Sequence, residues 1–189
     1  MRSVIKIRYA QIRECDVSNG NGVGVALFVQ GCNFHCYNCF NKETWDFNGG
    51  KEWTEEIENK FIELASRPYI KRISLLGGEC LADENLDGIL NLVHKFRLLM
   101  PEKTIWLYTG YEWSDIWSDS KIIIDDYTNQ VYENYQKRQQ IISMCDVVID
   151  GKYIDSQRNI SKKWAGSNNQ RVIDVKKSVQ QGEVILYCE

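Results

Sequence analysis

The sequence contains no apolar run approaching the roughly 20 residues that a membrane-spanning helix needs, so no membrane association is expected. It also lacks an export signal, because residues 1–14 scatter charges through their apolar positions and have no continuous apolar core. An excess of one charge is missing too. A formal net charge of -3 gives no general basic face of the kind nucleic-acid binders carry, and Arg158, Lys162 and Lys163 offer at most a local patch. No linker or internal repeat interrupts the 189 residues, and nothing in the composition is collagenous or disordered. One domain over residues 1–189 is expected, with a sizeable core. A chain without an export signal is expected in the cytoplasm. Its seven cysteines then stay reduced, and a disulfide framework is not expected. Such thiols are candidates for metal binding, redox chemistry or catalysis, or are small buried apolar groups.

The apolar pattern alternates between strand and helix. Residues 23–30 (VGVALFVQ), 71–76 (KRISLL), 104–108 (TIWLY) and 146–149 (DVVI) read as buried strands. Ile57, Phe61, Leu64 and Ala65 share a helical face behind an N-capping Thr54, and Leu86, Ile89, Leu90, Val93 and Phe96 form a second face that stops at Pro101. Residues 135–144 predict a further helix, and short strands are expected near 172–175 and 184–187. Strands alternating with helices predict an α/β fold with a parallel sheet. The length suits an open, partial β/α barrel, since a full eight-stranded barrel takes about 250 residues. Function in such folds sits at the C-terminal strand ends. That places Gly31-Cys32, Gly77-Gly78-Glu79, Thr109-Gly110 and Asp150-Gly151-Lys152 on one rim.

The sequence CNFHCYNC spaces Cys32, Cys36 and Cys39 as C-x3-C-x2-C. Three thiolates on one short loop can hold three irons of a [4Fe–4S] cube and leave the fourth iron open to a small substrate. A closed zinc site or a four-cysteine cluster is the alternative, and needs a fourth ligand from Cys15, Cys80, Cys145 or Cys188. His35 adjoins Cys36 and is poorly placed to reach the same ion.

The same residues resemble the radical S-adenosylmethionine superfamily. More narrowly, the chain is similar to the anaerobic ribonucleoside-triphosphate reductase activating proteins. The likeness rests on Asp16-Val17 leading to Asn19-Gly20, LFVQGC at 27–32, CFNKETW at 39–45 and SLLGGE at 74–79. It continues through IWLYTGY at 105–111, DVVIDGKY at 146–153 and WAGSNNQRVID at 164–174. The resemblance implies a [4Fe–4S] cluster on Cys32, Cys36 and Cys39 that reductively cleaves S-adenosylmethionine. It further implies that the resulting radical abstracts hydrogen from a glycine of the anaerobic reductase. It assigns cofactor contacts to Asn38 and Phe40 (adenosine), Gly77, Gly78 and Glu79 (methionyl group), Thr109, Asp150, Lys152 and Tyr153. It implies the reductase catalytic subunit as partner and a flavodoxin or ferredoxin-like electron donor. Trp45, Trp164 and residues 166–170 are candidates for the rim that receives the glycine loop. Small-molecule radical enzymes of the 7-carboxy-7-deazaguanine synthase type, activases of other glycyl-radical enzymes, and a non-catalytic iron–sulfur or zinc module are the competing readings.

Three features depart from the family pattern. Asn19-Gly20-Asn21-Gly22-Val23-Gly24 lacks the proline and arginine common in relatives, and Cys80 stands where proline usually follows the acidic residue. An insertion near 117–140 and a C-terminal extension after about 175 are also expected.

Overall fold

The computed structural model describes residues 7–117 and 129–188. In chain order its strands are β1 (Arg8–Asp16), β2 (Gly24–Val29), β3 (Lys51–Glu52), β4 (Arg72–Gly77), β5 (Thr104–Tyr108), β6 (Val147–Asp150) and β7 (Arg171–Asp174). Its helices are α1 (Glu55–Ser66), α2 (Leu86–Leu99), α3 (Trp113–Ile116), α4 (Asn129–Ser143) and α5 (Val175–Gln181). The apolar runs 23–30, 71–76, 104–108 and 146–149 become β2, β4, β5 and β6, which lie side by side and parallel. Such strands are covered on both faces, which explains their near-continuous apolar sequences.

The sheet is mixed, however, with the order β3-β1-β2-β4-β5-β6-β7. β1, β3 and β7 each run antiparallel to their neighbours, so the expected parallel pairing holds in the middle of the sheet, across β2, β4, β5 and β6, and not at its ends. Connection length explains β1. Residues 17–23 are too few for a crossover, so β1 and β2 pair as a hairpin. β1 was not legible as a strand because exposed positions dominate it and charged residues interrupt its alternation.

Helices cover one face only. Phe61 and Leu64 of α1, Leu92 and Phe96 of α2 and Ile141 of α4 share one continuous core with Val25, Leu27, Ile73, Leu75, Ile105, Leu107 and Val148. Strand alternation sends the intervening residues the other way. Phe28 and Leu76 pack there with Tyr108, while Trp106, Val147, Ile149 and Val172 lie against Trp164 and Ala165. The helix-free face is therefore roofed by loops, and there the chain can leave a cavity.

The expected α1 cap is present: Thr54 Oγ1 accepts the Ile57 N–H at 3.3 Å. Near the C-terminus the expected strand at 172–175 is β7 only to Asp174, whose side chain caps α5 by accepting from Lys177 N at 3.1 Å. Gly182 ends α5 with φ +71. The strand expected at 184–187 is reduced to the bridge between Ile173 and Leu186 and flanking hydrogen bonds such as Tyr187 N to Val172 O, 2.8 Å. α4 fills the later part of the expected insertion, and residues 118–128 lie outside the described residues.

Candidate functional site

A cavity of about 760 Å³ opens on the helix-free face at the C-terminal ends of β2, β4, β5 and β6. Cys32, Cys36, Cys39, Phe40, Gly77, Gly78, Glu79, Thr109, Lys152 and Tyr153 all line it. Of the twelve candidate residues, Asn38 and Asp150 are not in the lining. Asn38 turns the cysteine loop with φ +54 and donates to Asp155 Oδ2 at 3.2 Å. Asp150 is buried, accepts the Trp113 N–H at 2.9 Å and pairs with Arg171. It fixes the strand end that carries Gly151 and Lys152.

The cysteine loop is held by its neighbours in the chain. Gly31 N donates to Thr44 O at 2.8 Å and Cys32 N to Trp45 O at 3.0 Å, and the Gln30 side chain donates to Glu43 O and Asp46 O at 3.0 and 2.8 Å. Trp45 itself does not line the cavity; it stacks on His35 with centroids 4.6 Å apart. Trp164, Gly166 and Gln170 do line it.

The turns after β2 and β4 meet almost backbone to backbone. Gly78 N donates to Val29 O at 2.8 Å and Glu79 N to Gly31 O at 2.7 Å, and a Cβ added to Gly78 would lie 2.3 Å from Gly31 O. Only glycine fits at 78. Glu79 is buried, and its carboxylate accepts from Leu81 N (2.8 Å), Thr109 Oγ1 (2.8 Å) and Gly110 N (2.7 Å). Burial pushes its pKa up, and the three donors act against that rise. One carboxylate thus joins the turns after β4 and β5.

Cys39 Sγ accepts the Asn41 N–H at 3.4 Å, and the backbone N–H groups of Phe34 and His35 near Cys32, and of Tyr153 near Cys36, act to lower those two pKa values. Burial pushes the Cys32 and Cys36 thiols up, which a bound cationic group would reverse. Among the described residues no three His, Cys, Asp or Glu side chains converge on a single-ion site. Three cysteine sulfurs lining one cavity are the ligand type that an iron–sulfur cluster takes. Cys80 and Cys145 are fully buried in the helix-side core, where burial raises both pKa values. Both behave as small apolar residues.

The sequence did not single out several lining residues. Phe28, Leu76 and Tyr108 were legible in principle, as the strand positions alternating with the helix-side core. Arg13 and Phe34 carried no local signal; Arg13 lies over the Phe28 ring, 4.3 Å from its centroid.

Comparison with known proteins places this geometry. Residues 18–173 match the family model described as a 4Fe-4S single cluster domain. The chain is 35% identical over 168 residues to the anaerobic ribonucleoside-triphosphate reductase-activating protein of Enterobacteria phage T4, covering 88% of this chain and 93% of that protein. It is 35% identical over 166 residues to the protein of that name from Vibrio cholerae (87% and 96% covered). It is 33% identical over 168 residues to that of Escherichia coli K12 (88% and 97% covered). No helix among the described residues is long and apolar enough to cross a membrane.

Proposed function

This chain belongs to the anaerobic ribonucleoside-triphosphate reductase-activating proteins, and from that premise we propose that it is a cytoplasmic radical S-adenosylmethionine activase. Its sheet is read as an open, partial barrel whose helix-free face holds the cofactors. Cys32, Cys36 and Cys39 hold a [4Fe–4S] cluster. When bound, the cluster supplies the electron that splits S-adenosylmethionine into methionine and a 5′-deoxyadenosyl radical, which takes a hydrogen atom from a glycine of the reductase to leave 5′-deoxyadenosine and a glycyl radical.

The protein's share is binding, orientation and exclusion of water. Backbone N–H groups at Cys32 and Cys36 act against the rise that burial imposes on those two thiols. Gly77 and Gly78 pack the β4 turn against the β2 turn and offer bare backbone at the cavity to the methionyl group, and Glu79 accepts from its amino group. The Glu79 carboxylate is held in place by Thr109 and Gly110. Lys152 supplies a cation for the carboxylate or ribose. Phe40 and Tyr153, edge to face at 5.2 Å, offer an apolar wall for adenosine. Asn38 and Asp150 act at one remove, by fixing the loop and the strand end. The reductase and a flavodoxin or ferredoxin-like donor are the partners, and the sector around Trp164 and Gly166 receives the glycine loop.

The observation that carries this reading is the placement of three thiols beside Gly78 and Glu79 on one cavity rim. The test uses anaerobically reconstituted, dithionite-reduced protein. S-adenosylmethionine should change its electron paramagnetic resonance signal and yield 5′-deoxyadenosine, and added reductase should gain a glycyl doublet. A cluster signal indifferent to S-adenosylmethionine would leave only a binding module. Cleavage without a doublet would point to a small-molecule enzyme.

A further inference from the structure

The cysteine loop is fastened to its own ends at Gly31-Cys32, but its tip must also be held against the rim opposite. The backbone there passes twice through the left-handed region, with φ of +47 at His35 before Cys36 and +54 at Asn38 before Cys39. His and Asn enter that region more readily than most residues, and contacts around the loop offset the cost that remains. Phe34 supplies one set of those contacts, beside the Asn38 bond to Asp155 and the His35 contact with Trp45. The Phe34 ring lies on the bare α-carbon of Gly110, where an added Cβ would come within 2.5 Å of the ring. Tyr111 meets it edge to face, with centroids 5.0 Å apart at 71°. The Lys152 ammonium sits on the same ring, 4.6 Å from its centroid.

This slot is rigid. Gly110 is fixed by its N–H to Glu79 Oε2 at 2.7 Å, and Tyr111 O accepts the Gly151 N–H at 3.0 Å. Arg138 of α4 braces Tyr111 from the far side: it lies 4.7 Å from the ring centroid and donates to Leu81 O at 3.0 Å. The turns after β4, β5 and β6 thus form one socket, and Phe34 of the cysteine loop contacts both Gly110 and Lys152.

We propose that Phe34 is a positioning residue, a peg that seats the cysteine loop in the Gly110–Tyr111–Lys152 socket and so sets the three thiols relative to Glu79 and Lys152. The inference deepens the function proposed above, but it is a claim about the protein's own loop and can be read without the cluster. With the peg removed, the strained loop relaxes away from the rim. The thiols then become more accessible, and any group that needs all three is held less firmly.

The test compares Phe34→Ala, Phe34→Leu and Phe34→Tyr with the parent chain. In metal-free protein, iodoacetamide labelling at Cys32, Cys36 and Cys39 is followed by peptide mass spectrometry, with buried Cys145 as the control for an intact core. Phe34→Ala should label about tenfold faster at Cys36 and Cys39 while Cys145 stays protected. Phe34→Tyr should match the parent, and Phe34→Leu, which fills space without a π-face for Lys152, should fall between. Labelling of Phe34→Ala at the parent rate overturns the proposal. If Phe34→Ala also exposes Cys145, Phe34→Leu carries the test, and a parent-like rate in that variant overturns it. After anaerobic reconstitution, Phe34→Ala should also lose iron to EDTA about tenfold faster than Phe34→Tyr, and equal rates count against the peg. A parent chain that takes up no iron would defeat the functional reading and leave the labelling result to decide the peg.

Discussion

Removing Arg72 should destabilise the protein more than any surface change. Its side chain is fully buried and pairs with Asp16, itself 2% exposed, at 2.8 Å. Arg72 also donates to Asp16 O at 3.0 Å and to Ser74 Oγ, and it fills the space beside Gly24, where a Cβ would lie 2.5 Å from its Nη1. Arg72→Met would leave the Asp16 carboxylate buried with the Asn19 donors at 2.9 and 2.7 Å and the more distant Arg13 guanidinium at 3.9 Å. Loss of one partner of a buried pair costs about 3–5 kcal/mol. For a chain of this size that corresponds to a fall in Tm of about 6–20 °C. Burial raises the Asp16 pKa, but hydrogen bonds from Arg72 and Asn19 outweigh it, and the net shift is downward. A carboxyl whose folded pKa is lowered contributes stability that is complete above its unfolded value and is lost as pH falls through the folded value. The Arg72→Met deficit should therefore be full at pH 7 and shrink below about pH 4. Urea unfolding of Arg72→Met, Asp16→Leu and the double variant measures this. The double variant should recover most of the loss, because well-packed apolar residues replace a buried pair at little cost. Single deficits below about 1 kcal/mol, or a double deficit equal to their sum, would refute the reasoning.

Four further outcomes are expected. Iodoacetamide should label exposed Cys15 in the folded chain and leave Cys80 and Cys145 untouched until unfolding, which peptide mass spectrometry reads directly. Cys80→Ala should cost about 1–2 kcal/mol in urea unfolding and leave the iron and sulfide content of reconstituted protein unchanged; lost iron would revive Cys80 as a fourth ligand. Gly78→Ala, which drives a methyl to 2.3 Å from Gly31 O, should cost about 1–3 kcal/mol and lower iron content by displacing the Cys32 turn. Tyr187→Ala removes ring contacts to Trp106 and Trp164, at centroid distances of 5.1 and 5.9 Å, and should cost about 1–2 kcal/mol with altered near-ultraviolet circular dichroism, while Tyr187→Phe stays close to the parent.

Local signals alone determined the parallel centre of the sheet, because a strand buried on both faces must be apolar nearly throughout, as at Val25, Ala26, Leu27, Phe28 and Val29. They also determined α1 and its Thr54 cap, and they brought Cys32, Gly78, Glu79, Thr109 and Lys152 onto one rim, since the ends of parallel strands point the same way. Tertiary structure decided the rest. β1 and β7 run antiparallel because their connections carry no crossover helix, and the exposed positions of β1 break its apolar pattern. Asp150, which looked like a cofactor contact in DGKY, turns inward to Arg171 and Trp113, because a buried carboxylate settles where donors are fixed. Phe34 read as one apolar residue in a polar loop. Its socket is assembled from Gly110, Tyr111 and Lys152, residues more than seventy positions away, and no local pattern can encode a contact made only when three strand ends converge.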